Sequence, residues 1–212
     1  MGMLSDLINL FKSKKIFRRN KKDIKIKALA VLLYHLALSY RACSKIIGEI
    51  EPVSYESIRN WYTSSKDLFD VEKKERRAIA VDETKIKLEN EQIFLWIAID
   101  VDDKKILSVY LSKSRSGLDT ILFLKRTLKH CTNKPRIIAD KGPWYPWAIK
   151  RLGLEYDHQK FGERNAIEQW FSPFKHRIKR FWKRFPYKSS MHSIESWCLA
   201  YVSIYNLWRC LS

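Results

Sequence analysis

Acidic residues are scarce in this chain: 23 Asp and Glu stand against 41 Lys and Arg in 212 residues, a formal net charge of +18. The excess is spread along the whole length, so a cationic surface is expected, one that attracts nucleic acid through phosphate neutralisation and counterion release. Apolar runs of bilayer length are also missing. The apolar run over residues 28–38 is too short and too interrupted to span a membrane at roughly 20 residues. Residues 1–11 suit an amphipathic helix but lack the basic start, apolar core and small-residue cleavage site of a secretory signal. A cytoplasmic, nucleoid-associated protein with no membrane partner is expected. Cys43, Cys131, Cys198 and Cys210 lie far apart, with no Cys-x-x-Cys and no His at zinc spacing. That excludes the usual structural zinc sites and leaves buried reduced thiols.

The first third of the chain has helical periodicity. After a basic run over residues 12–27, Asp23 is a good N-cap, and Ile26, Leu29, Ala30, Leu33, Leu36 and Ala37 recur at helical spacing. Ser39 can cap a second helix over 40–47, stopped by Gly48, and Ser54 a third over 55–62. Long helix, short helix, Gly turn and short helix form the pattern of a helix-turn-helix unit. In that reading Tyr55, Ser57, Arg59 and Asn60 reach bases or phosphates from the third helix. An ordinary three-helix bundle with its polar residues in water is the competing reading. Residues 63–77 show no apolar period and read as a linker, giving a domain over 1–70 and another over 76–212.

The second domain opens with three β-favouring runs, 78–88, 92–101 and 106–111, whose short polar joins imply an antiparallel meander. Gly117 precedes a helical pattern through Leu128. Residues 136–140 then read as a compact buried strand, which a helical crossover makes parallel. Ile167, Trp170, Phe171, Phe174, Ile178, Phe181 and Phe185 form one helical stripe, in which Pro173 either kinks the helix or restarts it. A last helix carries Trp197, Tyr201, Ile204 and Trp208 on one face. This order describes an α/β, ribonuclease-H-like (retroviral-integrase-like) domain behind a small all-α helix-turn-helix domain.

Three acids stand out by their place in that order. Asp82 lies mid-strand in an apolar setting, where a carboxylate is costly to bury unless paired or bound to metal. Asp140 ends the parallel strand, at the edge where α/β sheets usually bind ligands. If the two strands are neighbours, the aspartates converge. Glu168 sits on the following helix beside its apolar stripe. An all-oxygen set of this kind suits Mg2+ or Mn2+, and two such ions can activate an attacking oxygen and stabilise a leaving one. Lys175 follows Glu168 by two helical turns and can hold a DNA phosphate nearby. Asp100, Asp102, Asp103, Asp119 and Glu163 read as surface charges.

The segments Val81-Asp82-Glu83-Thr84, Ala139-Asp140-Lys141-Gly142-Pro143-Trp144-Tyr145 and Arg164-Asn165-x-Ile167-Glu168-Gln169 resemble the D-D-E transposases of the insertion-sequence-six (IS six) family. The continuation from Phe171 through Phe174-Lys175-x-Arg177-x-Lys179 to Phe185-Pro186 looks like its archaeal-type branch. The resemblance covers nearly the whole chain. It implies a metal-dependent transposase that binds the terminal inverted repeats of its element, frees 3′ hydroxyls and joins them to target DNA. Asp82, Asp140 and Glu168 would be the metal ligands, and Lys175, with Arg177 and Lys179 on the same helix, would contact DNA. The interval before Glu168 is shorter than in bacterial members, which makes Glu163 the reserve third acid, and Trp170-Phe171-Ser172 stands where many have Asp-His-Arg. Pairing two DNA ends implies a homodimer or larger synaptic assembly on double-stranded DNA. A non-cutting DNA-binding regulator and a structure-selective nuclease of the same fold are the alternatives.

Overall fold

The computed structural model describes residues 2–17, 21–88, 91–159, 162–179 and 189–209, without the side chains of residues 164, 166, 178 and 179. It divides into two compact units, Met1–Asp70 with Ser196–Ser212, and Val71–Glu195. The second unit opens at Val71, five residues before the start expected at 76. The C-terminal segment, assigned by sequence to the domain over 76–212, groups instead with the N-terminal helices.

The first unit opens with α1 (Met3–Ser13), α2 (Ile24–His35), α3 (Tyr40–Gly48) and α4 (Tyr55–Ser64). Three of them start on caps legible in the sequence. Asp23 accepts from the Lys25 N–H at 2.8 Å, Ser39 from Ala42 at 3.0 Å and Ser54 from Ser57 at 3.2 Å, each satisfying a backbone donor that the helix leaves over. Val31, Tyr34, Cys43, Ile47, Ile58 and Tyr62 are buried where α2, α3 and α4 meet. Trp197, on α8 (Met191–Arg209), explains why the end of the chain belongs to this unit: its indole donates to the Tyr34 hydroxyl at 3.1 Å, and it stacks on Tyr201 one turn later. The basic run is not wholly solvated. Lys27 is buried with its ammonium 4.7 Å from the Phe17 ring centre, and burial lowers its pKa. Arg18, Arg19 and Asn20 lie outside the described residues.

The second unit holds one five-stranded sheet in the order β3-β2-β1-β4-β5. Its strands are β1 (Ala78–Leu88), β2 (Glu91–Asp100), β3 (Ile106–Ser112), β4 (Arg136–Ala139) and β5 (Tyr156–His158). The first three pair antiparallel; β4 joins β1 in parallel, and β5 joins β4 likewise. Between β3 and β4 runs α5 (Gly117–Leu128), opened by a Ser116–Asp119 capping box. Between β4 and β5 runs α6 (Tyr145–Arg151), and α7 (Asn165–Lys179) follows the sheet. An antiparallel meander continued by parallel strands through helical crossovers is the ribonuclease-H-like arrangement expected.

Strand alternation fixes what each sheet face does. Ile79, Val81, Trp96, Ala98, Leu107, Ile137 and Ala139 build one core with Phe123 and Leu124 of α5 and Tyr145 and Ile149 of α6. Ala78, Ala80, Leu95, Ile97 and Ile138, equally buried, belong to the other face. There α7 packs on β1 and β2, burying Ile167, Trp170, Phe171 and Phe174. Pro173 lies inside α7, which continues past it. Phe181 and Phe185 lie outside the described residues.

Two sequence expectations are corrected here. The linker read over 63–77 carries a short 3-10 helix (Ser65–Leu68) and then Arg76, which is 4% exposed. Asp100, read as a surface charge, is 2% exposed and ion-paired to Arg76. A polar run with no period conceals a cation whose partner lies a strand away. Asp102 and Asp103 are surface ion-pair residues, bound to Arg77 and Lys74. Cys43, Cys131 and Cys198 are buried, as expected; Cys210 is outside the described residues. Among the described residues no helix is long and apolar enough to cross a membrane.

Candidate active site

Parallel pairing sets Ala80 of β1 beside Ile138 of β4. Two residues further along each chain stand Asp82 and Asp140, so the register brings the aspartates side by side on the sheet face that α7 covers. Their carboxylates are oriented locally. Asp82 Oδ1 accepts the Glu83 N–H at 2.9 Å, and Asp140 Oδ1 accepts the Gly142 N–H at 2.9 Å. The Tyr156 hydroxyl, from β5, donates to the Asp140 carbonyl at 2.6 Å. Both aspartates are half-buried.

Tyr145 lies within electrostatic reach of both aspartates. Its side chain is fully buried, and its hydroxyl donates to Glu83 Oε2 at 2.6 Å. Burial first, then the charges of Glu83, Asp82 and Asp140, push its pKa well above the ordinary tyrosine value. The hydroxyl therefore stays protonated and acts as a donor to this acidic edge. Glu83, which sequence reasoning left without a role, is also ion-paired to Arg115 at 3.2 Å, with its side chain only 5% exposed. The Arg115 guanidinium lies 4.8 Å from the Phe94 ring and 4.4 Å from the Trp144 ring. The signal was available: Glu83 shares its strand phase with Ile79 and Val81, which face the core.

Gly142 is required where it stands. A Cβ there would come within 2.7 Å of the Trp144 indole, against which the Arg115 guanidinium also packs. Gly142→Ala should destabilise the second unit by about 1–3 kcal/mol through overpacking, a loss readable as a lower urea midpoint. A midpoint equal to wild type would show that the indole moves freely.

Glu168 lies in the first turn of α7 and is exposed, as is Lys175 two turns later on the same face. The Lys175 ammonium sits 5.0 Å from the Phe171 ring centre. Arg177, expected to contact DNA, is instead 5% exposed. Three residues past Phe174, it falls on the buried stripe, which withdraws it from a phosphate-facing role. The Lys179 side chain lies outside the described residues. Glu163 is not beside the aspartates: it pairs with Arg77 at 2.5 Å and Arg136 at 2.6 Å, at the opening ends of β1 and β4. Arg136 and Asp140 are four residues apart, roughly 13 Å along a strand.

The donor set fits a hard divalent cation, which commonly takes one or two carboxylates and completes its shell with water and substrate phosphate. As the side chains stand, the described residues contain no group of three His, Cys, Asp or Glu that could hold a metal ion. The β1–β4 register puts Asp82 and Asp140 at corresponding positions two residues past the last paired ones, and the two do not form such a group with Glu168. In the first unit, Tyr55, Arg59 and Asn60 are exposed on α4, while Ser57 is half-buried with its hydroxyl 3.1 Å from that of Ser54. Arg41 of α3 lies over the Tyr55 ring at 5.6 Å, extending this basic, aromatic surface.

Residues 76–209 match the family model of a DDE domain of the IS240 transposase type. The chain belongs to this family, the IS six group of DDE transposases. The matched span of this DDE family member includes Asp82, Asp140 and Glu168, and it runs on into the residues of α8 that group with the first unit. An uncharacterized protein of Methanocaldococcus jannaschii is 47% identical over 194 residues, covering 91% of each chain, which fits the archaeal-type branch. The transposase for insertion sequence element IS257 in transposon Tn4003 of Staphylococcus aureus is 28% identical over 191 residues, covering 84% of each. Among solved structures, the catalytic core domain of BIV integrase aligns with a TM-score of 0.45 at 15% identity, over 60% of this chain and 82% of that one.

Proposed function

We propose that this DDE family member is a metal-dependent DNA transposase that binds the terminal inverted repeats of its element, cleaves the ends and joins their 3′ hydroxyls to target DNA. The observation that carries the reading is the register placing Asp82 beside Asp140 within the matched DDE span. Mg2+ or Mn2+, two ions in the full reaction, would be held by Asp82, Asp140 and Glu168 and would supply charge neutralisation and an activated oxygen for in-line phosphoryl transfer. The backbone N–H groups of Glu83 and Gly142 orient the aspartates. Glu168 would complete the acidic set from α7, and Lys175, exposed on the same helical face, would hold a backbone phosphate.

Recognition of a defined DNA site is assigned to α4, through Tyr55, Ser57, Arg59 and Asn60. Its exposed polar face and the surrounding positive charge support that role. Asn60→Ala should weaken binding to the element ends about tenfold or more while leaving binding to unrelated DNA nearly unchanged. Fluorescence anisotropy on the two DNAs decides it, and equal losses on both would remove base reading from this residue.

The reading as a whole is tested by incubating purified protein with labelled element ends, target DNA and Mg2+. Joined products that need both the terminal repeats and the metal support it. Binding without cleavage would favour a regulator, and cleavage of unrelated branched DNA a nuclease. A homodimer or larger assembly is expected once two ends are present, and sedimentation with end-bearing DNA would detect it.

A further inference from the structure

The acidic edge contains a carboxylate that the proposed chemistry does not use. Glu83 follows Asp82 directly but points to the opposite sheet face, where its side chain is 5% exposed. A carboxylate so deeply buried needs strong partners. It has two: the Tyr145 hydroxyl at 2.6 Å on Oε2 and the Arg115 guanidinium at 3.2 Å on Oε1. These partners come from different parts of the chain. Tyr145 opens α6, just after the turn from Asp140 through Gly142, and Arg115 comes from the β3–α5 connection, clasped by Phe94 and Trp144.

The consequence is a closed circuit. Asp82 is held by the backbone of Glu83; the Glu83 side chain holds Tyr145; Tyr145 ends the turn whose Gly142 N–H holds Asp140. β4 ends at Ala139, so the sheet ladder no longer ties Asp140 to β1. The side-chain link from Glu83 to Tyr145 takes over where the ladder stops.

We propose that Glu83 is a positioning residue that, through Tyr145 and with Arg115 as its counter-ion, fixes the separation of Asp82 and Asp140. The inference rests on the reading of the two aspartates as metal ligands. Glu83 itself contacts neither metal nor DNA in this role.

Metal-free and Mn2+-titrated full-length protein test it, without DNA. Bound Mn2+ is read from the loss of the free-ion electron paramagnetic resonance signal, and the fold from the melting temperature without metal. Glu83→Gln and Tyr145→Phe keep side-chain shape. Each should weaken Mn2+ binding about tenfold, the usual effect of removing a group that orients a ligand. Each should also melt no more than about 10 °C below wild type, since losing one hydrogen bond of a buried carboxylate costs about 1–3 kcal/mol in a chain of this size. Wild-type affinity in either variant overturns the inference, as does a large loss of melting temperature in both, which would make Glu83 a scaffold residue only. Weak binding in Glu83→Gln with normal binding in Tyr145→Phe also overturns it, since Glu83 would then be a ligand itself. Wild-type protein whose Mn2+ binding is absent, or unaffected by Asp82→Asn, overturns the metal-ligand reading and this inference with it.

Discussion

Asp140→Asn is expected to reduce strand joining by at least about a thousand-fold, about 4 kcal/mol of transition-state stabilisation, while end binding and the metal-free fold survive. The contrast follows from what the substitution keeps. Asparagine has the size of aspartate, and its carbonyl oxygen can still accept the Gly142 N–H now bonded to Asp140 Oδ1. The Tyr156 hydroxyl bonds the backbone carbonyl of residue 140, which the change does not touch. What disappears is one of two negative charges that the β1–β4 register sets side by side. Without metal those charges repel, so the variant should melt at or above the wild-type temperature. With Mg2+ wild type should gain melting temperature and the variant should gain little, because a ligand that binds only the folded state stabilises it by mass action. Quantified gel products and paired melting curves provide the two readouts. Joining within tenfold of wild type would remove Asp140 from the chemistry.

The features legible in the sequence are those set by local chemistry. Asp23, Ser39 and Ser54 announced their helices because capping needs one side chain and a backbone N–H a few residues on. β1 to β3 were visible as β-favouring runs and β4 as a compact buried one, and the expected position of the two aspartates followed from strand order. The opposite case is β5: three half-buried residues, Tyr156, Asp157 and His158, form a strand because β4 offers an unpaired edge. No periodicity in three residues can report that. Arg177 was expected to contact DNA from the family resemblance, although its spacing from Phe174 already put it on the stripe, where it is buried. Glu83 was visible as a motif letter but not as a group, since its meaning depends on Tyr145 and Arg115, 62 and 32 residues away.

Arg76→Ala carries the largest expected cost to stability, about 3–5 kcal/mol, the usual penalty for leaving a buried charge without its partner. The Asp100 side chain is only 3% exposed, and Arg76 is the cation facing it. Arg76 does more than neutralise charge. Its guanidinium donates to the His130 carbonyl at 3.1 Å and the Glu72 carbonyl at 2.8 Å. Asn133 meanwhile accepts the Arg76 N–H at 3.0 Å and donates to the Arg76 carbonyl at 2.7 Å. One residue thus ties the entry to β1, the end of β2 and the segment after α5. Lysine cannot replace this planar fork of donors, so Arg76→Lys should recover only part of the loss. The decisive comparison is the pair: adding Asp100→Asn to Arg76→Ala removes the stranded charge and should restore a substantial share of the lost stability. Urea titration followed by circular dichroism measures each step, the single variant unfolding at a clearly lower midpoint. Natural domains hold only about 5–15 kcal/mol in total, so Arg76→Ala should leave the second unit marginal at growth temperature. A midpoint equal to wild type would show that water reaches Asp100 once the arginine is gone.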